Sequence, residues 1–374
     1  MKLRNFILPV SFLVLLVAPI ANQLGSIVVF ESADENRDFS SFPKFKPTDF
    51  EGFPTEFETY FNEAFSFRAP LLEFHQYMKF EWFKISPYPD KVIIGNDGWL
   101  FNARKEAEIL DGTLNFSEEQ LVHFEEEWGN RVRILDSLDI KVLWYILPMK
   151  HYVYQNEMPF NVRVSKPKRV KTLQERLNTS YPGLVHDPTQ LLINARDSFE
   201  TYLRNDNHWN YRAGHGTSLD ILQNIHRWYP NHDFGLPNNY TWEQNTFLGG
   251  CHAQVIGKPY AEELEWFVTV DSTTVREYKR CFLPPSDFPY PDDYEHSFIN
   301  PEGNGLKILI IGDSFSHPLQ KFLPEVFSET VFIFDSWQYD LNLDIILEVQ
   351  PDIVLFESLE THIDHFIENK TEPN

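Results

Sequence analysis

The chain is poor in cysteine, with two in 374 residues, Cys251 and Cys281. No Cys-x-x-Cys occurs, so a thiolate zinc site is not expected. The two thiols either close a loop or stay as separate buried groups, and in an oxidising compartment the bridge is the expected form. The histidines offer no metal spacing either: His208 with His215, and His362 with His365, lack a third ligand nearby. Basic residues are also scarce, 32 Lys and Arg against 55 Asp and Glu, for a formal charge of −23. Phosphate backbones need a basic face, which counts against nucleic acid as a partner. The same balance disfavours anionic lipid beyond a terminal anchor. It leaves a sugar open as a partner, with local bases overriding the global field if that sugar is an anion. There is no Gly-rich phosphate loop, internal repeat or low-complexity tract, and no soluble coenzyme site is expected.

What is present is a core. Apolar residues make up 42% and aromatics 16% of the chain, which excludes bulk disorder. Lys2 and Arg4 precede an apolar run from Phe6 to Ile20, and apolar character resumes from Leu24 to Phe30. A positive front end and such a run indicate a signal peptide or an uncleaved anchor. From Phe6 to Phe30 the segment reaches the ~20 residues that span a bilayer. Asn22, Gln23, Pro9 and Pro19 weaken it as a span, and Pro19 also spoils a cleavage site after Ala21. The expectation is an amino-terminal anchor over residues 1–30, with the body exported to the periplasm or the extracytoplasmic membrane face. Residues 31–90 read as a linker (Asp34 to Pro47) followed by an aromatic-rich helical lead-in from Glu51 to Phe83.

Residues 91–368 read as one α/β domain. Val92 to Gly95 and Gly98 to Phe101 form a hairpin turned at Asn96-Asp97-Gly98. Ser117 and Gln120 are placed as a capping box for a helix to about Leu138. Ile140 to Leu147 is a strand, Lys166 to Leu177 a basic helix, Leu184 to Asp187 a short strand, and Arg212 to Trp228 a helix. The alternation predicts a mainly parallel sheet with helices on both faces. Residues 229 to 304 break the pattern, as an irregular insertion or a small β-rich subdomain before the next strand.

That next strand carries the chemistry. Lys307 to Ile311 is a short apolar run closed by Gly312, as in a strand covered on both faces. Helical spacing from Phe315 to Phe327 follows. Ser314 therefore stands between a strand's carboxyl end and a helix start, where α/β sheets bind ligands and backbone N–H groups favour negative charge. It is either a nucleophile or the N-cap of an ordinary turn. Upstream, an expected strand Phe199 to Leu203 leads into Asp206-Asn207-His208-Trp209-Asn210. Residues two apart in extended chain share a face, so Asp206 can fix the tautomer of His208 and free its other nitrogen for a serine proton. The alternative is that both merely cap the following helix. Strands at Thr330 to Phe334 and Asp352 to Phe356 put Trp337, Tyr339 and Glu357 at or beyond strand ends beside Ser314. Trp337, Tyr339 and Glu357, like Trp209, are candidate substrate contacts.

Asp206-x-His208-Trp-Asn followed by Gly312-Asp-Ser-Phe resembles the SGNH-hydrolase-like proteins of the alginate O-acetyltransferase type and the related DHHW group. Further landmarks are Glu35-Asn-Arg37 with Phe42-Pro43, the run Tyr60 to Arg68, Val92 to Phe101, and Pro148-Met-Lys150 with Tyr154 and Pro159. The Asp-His pair precedes the serine, as in that family. At Thr246-Phe-Leu-Gly-Gly-Cys251, family members tend to carry Gly-Asp-Leu; here Gly250-Cys251 replaces the Asp-Leu pair. Backbone N–H groups of Gly249 or Gly250 remain candidate oxyanion donors beside that of Ser314. The resemblance implies acetyl transfer to an exported or cell-surface polysaccharide, with the acetyl group delivered by a membrane-embedded acyltransferase partner. Ser314 would be the nucleophile, His208 the base and then acid, and Asp206 its orienter. An acetyl-esterase with the same triad and a non-catalytic polysaccharide-binding protein are the alternatives.

Overall fold

The computed structural model describes residues 2–25, 42–44, 51–64, 67–159, 162–165, 168–237, 240–271, 274–286, 288–335 and 338–368. Trp337, the Glu35-Asn-Arg37 landmark and most of the Asp34 to Pro47 linker lie outside these residues. The chain divides into two compact units, Met1–Pro87 and Tyr88–Asn374.

The first unit holds α1 (Lys2–Gly25), α2 (Phe53–Ala64) and α3 (Arg68–Tyr77), the last running into a π-turn at Met78–Trp82. Among the described residues no helix is long and apolar enough to cross a membrane. Phe6 and Leu8 of α1 are 72% and 75% exposed. On α2 the aromatics meet one another, Phe53 with Phe57 at 6.0 Å and Phe57 with Phe61 at 6.2 Å between ring centroids.

The second unit opens with the hairpin β1 (Val92–Ile94) and β2 (Leu100–Asn102), turned through Asn96–Gly98. Then come α4 (Lys105–Asp111), α5 (Glu118–Ser137), β3 (Lys141–Leu147), α6 (Lys150–Val153), α7 (Arg169–Ser180), β4 (Val185–His186), α8 (Thr189–Arg196) and α9 (Tyr211–His226). Ser117 and Gln120 form the expected capping box on α5. The next stretch contains β5 (Tyr240–Leu248), α10 (Cys251–Val255), β6 (Glu262–Val270), β7 (Arg276–Tyr278) and β8 (Glu295–Ile299). The chain closes with β9 (Lys307–Gly312), β10 (Glu329–Phe334), α11 (Leu343–Val349), β11 (Ile353–Leu359) and α12 (His365–Glu368).

The main sheet has the order β4-β3-β11-β9-β10-β8-β7. Its first five strands pair in parallel, while β8 and β7 extend it antiparallel. Alternate residues of each central strand face opposite sides. Leu143, Tyr145, Ile308 and Ile310 meet α4, α8 and α9 on one face; Val142, Trp144, Leu309 and Ile311 meet α5, α7 and α11 on the other. The predicted mainly parallel α/β sheet with helices on both faces is the observed fold.

Three expectations are corrected. Phe199 to Leu203 is no strand: one isolated bridge, Tyr202 to Trp209, closes it into a loop. The helix expected from Phe315 to Phe327 is two 3₁₀ turns, Ser314–Lys321 and Leu323–Glu325. Pro318 and Pro324 lack the N–H that an α-helix needs and crowd the preceding turn, which favours the tighter coil. Its apolar set is nevertheless buried as expected, Phe315, Leu319, Phe322, Leu323 and Phe327 all at 2% exposure or less. The segment 229–304 does not stand wholly apart from the sheet: β5 and β6 form their own hairpin, but β7 and β8 join the main sheet.

Gly214 on α9 sets the spacing of two layers that carry the site. A Cβ there would lie 2.5 Å from Cβ of Pro318, a rigid ring that cannot rotate away. Gly214→Ala is expected to push α9 off the 3₁₀ turn and cost about 1–3 kcal/mol, read as a lower urea midpoint.

Candidate active site

β9 ends at Gly312, and Asp313 caps the 3₁₀ turn that begins at Ser314, its Oδ1 accepting the Phe315 N–H at 2.9 Å. The N-cap is therefore Asp313, and the Ser314 hydroxyl is left for other work. That hydroxyl lies 2.7 Å from Nε2 of His208. Nδ1 of His208 lies 2.6 Å from Asp206 Oδ1, which also accepts the His208 backbone N–H at 3.0 Å. Asp206 Oδ2 accepts the Cys251 N–H at 2.7 Å. The Asp206–Nδ1 bond selects the tautomer with the proton on Nδ1, so Nε2 accepts from the serine. Burial works to raise the pKa of Asp206. It is outweighed by the hydrogen bond and charge of His208 and by the two backbone N–H groups, which leave the carboxyl well below its usual range.

The loop bearing Asp206 and His208 is tied to the turn that begins at Ser314. Trp209, a candidate substrate contact, is 2% exposed and donates its indole N–H to the Phe315 carbonyl at 2.8 Å. Its place is behind the site. Asn210 caps α9 through Ala213 N–H. Tyr339, another candidate contact, is fully buried and donates to Asp313 Oδ2 at 2.9 Å. The same oxygen lies 2.8 Å from the Leu359 N–H and 2.9 Å from His362 Nδ1. Burial would raise the pKa of Asp313. His362 and the backbone N–H groups overcome this and depress it below 3.8, so its contribution to stability is present above that value and lost as pH falls.

Glu357 is also buried, and neither carboxylate oxygen has a hydrogen-bond partner among the described residues. Burial first, and the charge of Asp313 second, raise its pKa well above 4.5, so the folded state keeps it neutral. A raised carboxyl pKa means stability is highest below the unfolded value and falls as pH rises past it. Glu357→Met is expected to stabilise the fold near neutral pH by about 1–3 kcal/mol and to flatten that decline. Urea midpoints across about pH 4 to 8 would read both.

Of the two glycines proposed as oxyanion donors, Gly249 is removed: its N–H donates to the Ala261 carbonyl at 2.8 Å. Gly250 adopts φ +105°, and a Cβ there would lie 2.4 Å from the Asn205 carbonyl, so glycine is required where the α10 turn meets the dyad's loop. The Ser314 N–H stays as a donor candidate. The expected disulfide is not formed; Cys251 and Cys281 are both free thiols. Cys251 opens α10, its Sγ 3.7 Å from His252 Nδ1, whereas Cys281 follows β7 at the sheet edge. Among the described residues no group of three or more His, Cys, Asp or Glu could hold a metal ion.

Two side chains outside the Asp206–His208–Ser314 series support the loop. The Lys150 ammonium donates to backbone carbonyls of Leu203, Arg204 and Asp206, and Glu263 accepts the N–H groups of Arg204 and Asn205. Lys150 carries a sequence signal, a lysine two residues past the Pro148 that ends a buried strand; Glu263, on a hairpin remote in sequence, carries none.

Residues 92–239 match the family model described as SGNH hydrolase-like domain, acetyltransferase AlgX. The matched segment includes Asp206 and His208 and ends before Ser314. None of the curated proteins matches the chain. Among solved structures, Bacillus cereus PatB1 with a sulfonyl adduct superposes at TM-score 0.56, with 14% identity over 75% of this chain and 99% of that one. A second PatB1 structure gives TM-score 0.52 and 16% identity over 74% of this chain and 98% of that one. The O-acetyltransferase domain of Pseudomonas putida AlgJ aligns at TM-score 0.49 and 15% identity, over 75% of this chain and 94% of that one. At such identities the likeness is one of fold, and the sequence match is confined to residues 92–239, a segment similar to the SGNH hydrolase-like domain of the acetyltransferase AlgX.

Proposed function

We propose that the chain is an O-acetyltransferase that works through a serine acyl-enzyme. The observation that carries this reading is the hydrogen-bonded series Asp206–His208–Ser314 at the carboxyl end of the parallel sheet. Ser314 Oγ attacks the carbonyl carbon of an acetyl donor while Nε2 of His208 takes the hydroxyl proton. The tetrahedral oxyanion lies against the Ser314 N–H, and the leaving group departs with the proton from His208. A sugar hydroxyl then gives its proton to His208, attacks the acetyl-serine and leaves acetylated, with Ser314 restored. Asp206 keeps the imidazole oriented and stabilises its charged form.

The acceptor we propose is an exported or cell-surface polysaccharide, and the donor a membrane-embedded acyltransferase. The exposed apolar side chains of α1 and the Lys2 and Arg4 front end support export and an amino-terminal attachment to the membrane. An acetyl-esterase is the second reading, favoured by the His208 side chain, which is 38% exposed and so open to water as an acceptor. The two are separated by giving the protein an activated acetyl ester with and without oligosaccharide. Acetylated sugar as the main product supports the transferase; free acetate in the same yield whether or not sugar is present replaces it with the esterase.

A further inference from the structure

The segment Leu203 to Asp206, which brings the catalytic carboxylate into place, belongs to no sheet. Its backbone polar groups must therefore find partners elsewhere, and they find charged ones of both signs. Lys150, fully buried at the start of α6, donates to the carbonyls of Leu203 at 3.0 Å, Arg204 at 3.2 Å and Asp206 at 2.5 Å. Three N–H donors meet three acceptors, the full capacity of an ammonium group. The rings of Trp99 and Phe101 lie 5.7 and 5.3 Å from its Nζ, a further attraction for a positive charge. Glu263 on β6 grips the same peptides by their other polarity, Oε2 accepting the Arg204 N–H at 2.6 Å and Oε1 the Asn205 N–H at 3.0 Å. Packing alone asks for neither charge, because an apolar side chain fills the Lys150 position at no desolvation penalty.

We propose that Lys150 and Glu263 are positioning residues forming a charged clamp on the Asp206–His208 loop, and that the clamp holds only while Lys150 is protonated, so it sets the alkaline limit of catalysis.

Burial pulls the Lys150 pKa down to about 7, opposed chiefly by the carboxylates facing it, Asp206 from the loop and Glu263 from β6; Cys251 on α10 also faces it, but burial pushes that thiol up to about 12 and keeps it neutral. Burial pushes Glu263 up, opposed by the two N–H groups and by the charge of Lys150, while Glu200 beside it acts in the same sense as burial. The histidines nearby are held neutral. Burial draws His151 on α6 to about 4 and His252 on α10 to about 2, in both cases assisted by the Lys150 charge. Neither therefore gives up a proton where Lys150 does. As pH rises through the Lys150 pKa, the ammonium becomes an amine with two donors for three carbonyls. The loop then loses one anchor and the charge opposite Asp206.

This inference rests on the serine-nucleophile reading, so its test follows Ser314 directly. The rate of Ser314 labelling by a sulfonyl fluoride is measured by peptide mass spectrometry across about pH 5 to 10, with kcat/KM for an acetyl ester alongside. The wild-type rate is expected to fall at the alkaline end. Glu263→Gln keeps one oxygen acceptor but removes a negative charge, so Lys150 loses its proton sooner and the alkaline limb moves to lower pH by about one unit. A merely structural Glu263 would lower the rate evenly and leave the limb where it is. Lys150→Met is expected to lower the rate about 100-fold, the effect of a misplaced catalytic group, and to abolish the limb. If that variant does not fold, the Glu263→Gln profile decides. An unmoved limb in Glu263→Gln, or a wild-type rate in folded Lys150→Met, overturns the clamp. Labelling with the expected profiles but no acetyl turnover leaves the clamp standing and removes the acetyltransferase; no labelling of folded wild type removes both.

Discussion

Ser314→Ala is expected to abolish acetyl transfer while leaving the fold unchanged. Removing the nucleophile of a serine triad lowers kcat by about a millionfold, to the background supplied by binding and oxyanion contacts. The structure makes the substitution clean. The serine hydroxyl bonds His208, whereas the turn itself is capped by Asp313 through Phe315 N–H. Trp209 still donates to the Phe315 carbonyl, and the apolar contacts of Phe315 and Leu319 are untouched. A thermal midpoint equal to wild type is therefore expected beside the lost activity. A variant that keeps more than about one hundredth of wild-type kcat/KM would mean that Ser314 is not the nucleophile.

Asp206→Asn is expected to cost about 10,000-fold in kcat, for a reason visible in the donors around it. Both carboxylate oxygens of Asp206 accept N–H groups, Oδ1 from His208 and Oδ2 from Cys251. An asparagine has one oxygen, so its NH₂ must confront one of those donors. Turned toward Cys251, it loses the loop's tie to α10. Turned toward His208, it forces Nδ1 to accept, moves the proton to Nε2 and leaves nothing to take the serine proton. The loss is expected mainly in kcat, with KM little changed, and Asp206→Ala is expected to be at least as impaired. Asp206→Asn at wild-type kcat would reduce the carboxylate to a tie between its loop and α10.

Much of this arrangement is legible in the sequence because it depends on local pattern. The run Lys307 to Gly312 is apolar at every position but its ends, as a strand between two helical layers must be. That alone places Ser314 at a carboxyl edge. The two-residue offset of Asp206 and His208 likewise predicts that they touch. The nature of the coil after Ser314 is less legible, since the apolar spacing fits either helix type and only Pro318 and Pro324 argue for the tighter one. Sequence position makes Trp209 and Tyr339 candidate substrate contacts. Each instead turns inward to satisfy a buried group, the Phe315 carbonyl and the Asp313 carboxylate. Such contacts join residues 106 and 26 positions apart, and no local periodicity encodes them. The Lys150 and Glu263 contacts with the loop are of the same kind, spanning between 53 and 59 positions.

The central claim is that Ser314 becomes acetylated on the way to product. The most direct measurement exposes the full chain briefly to an activated acetyl ester, quenches it in acid, and locates the added mass by peptide mass spectrometry. The account predicts one acetyl group on Ser314, absent in His208→Ala, and lost from Ser314 as an added oligosaccharide gains it. Acetyl found on lysines alone, with Ser314 unmodified while sugar is still acetylated, would contradict it.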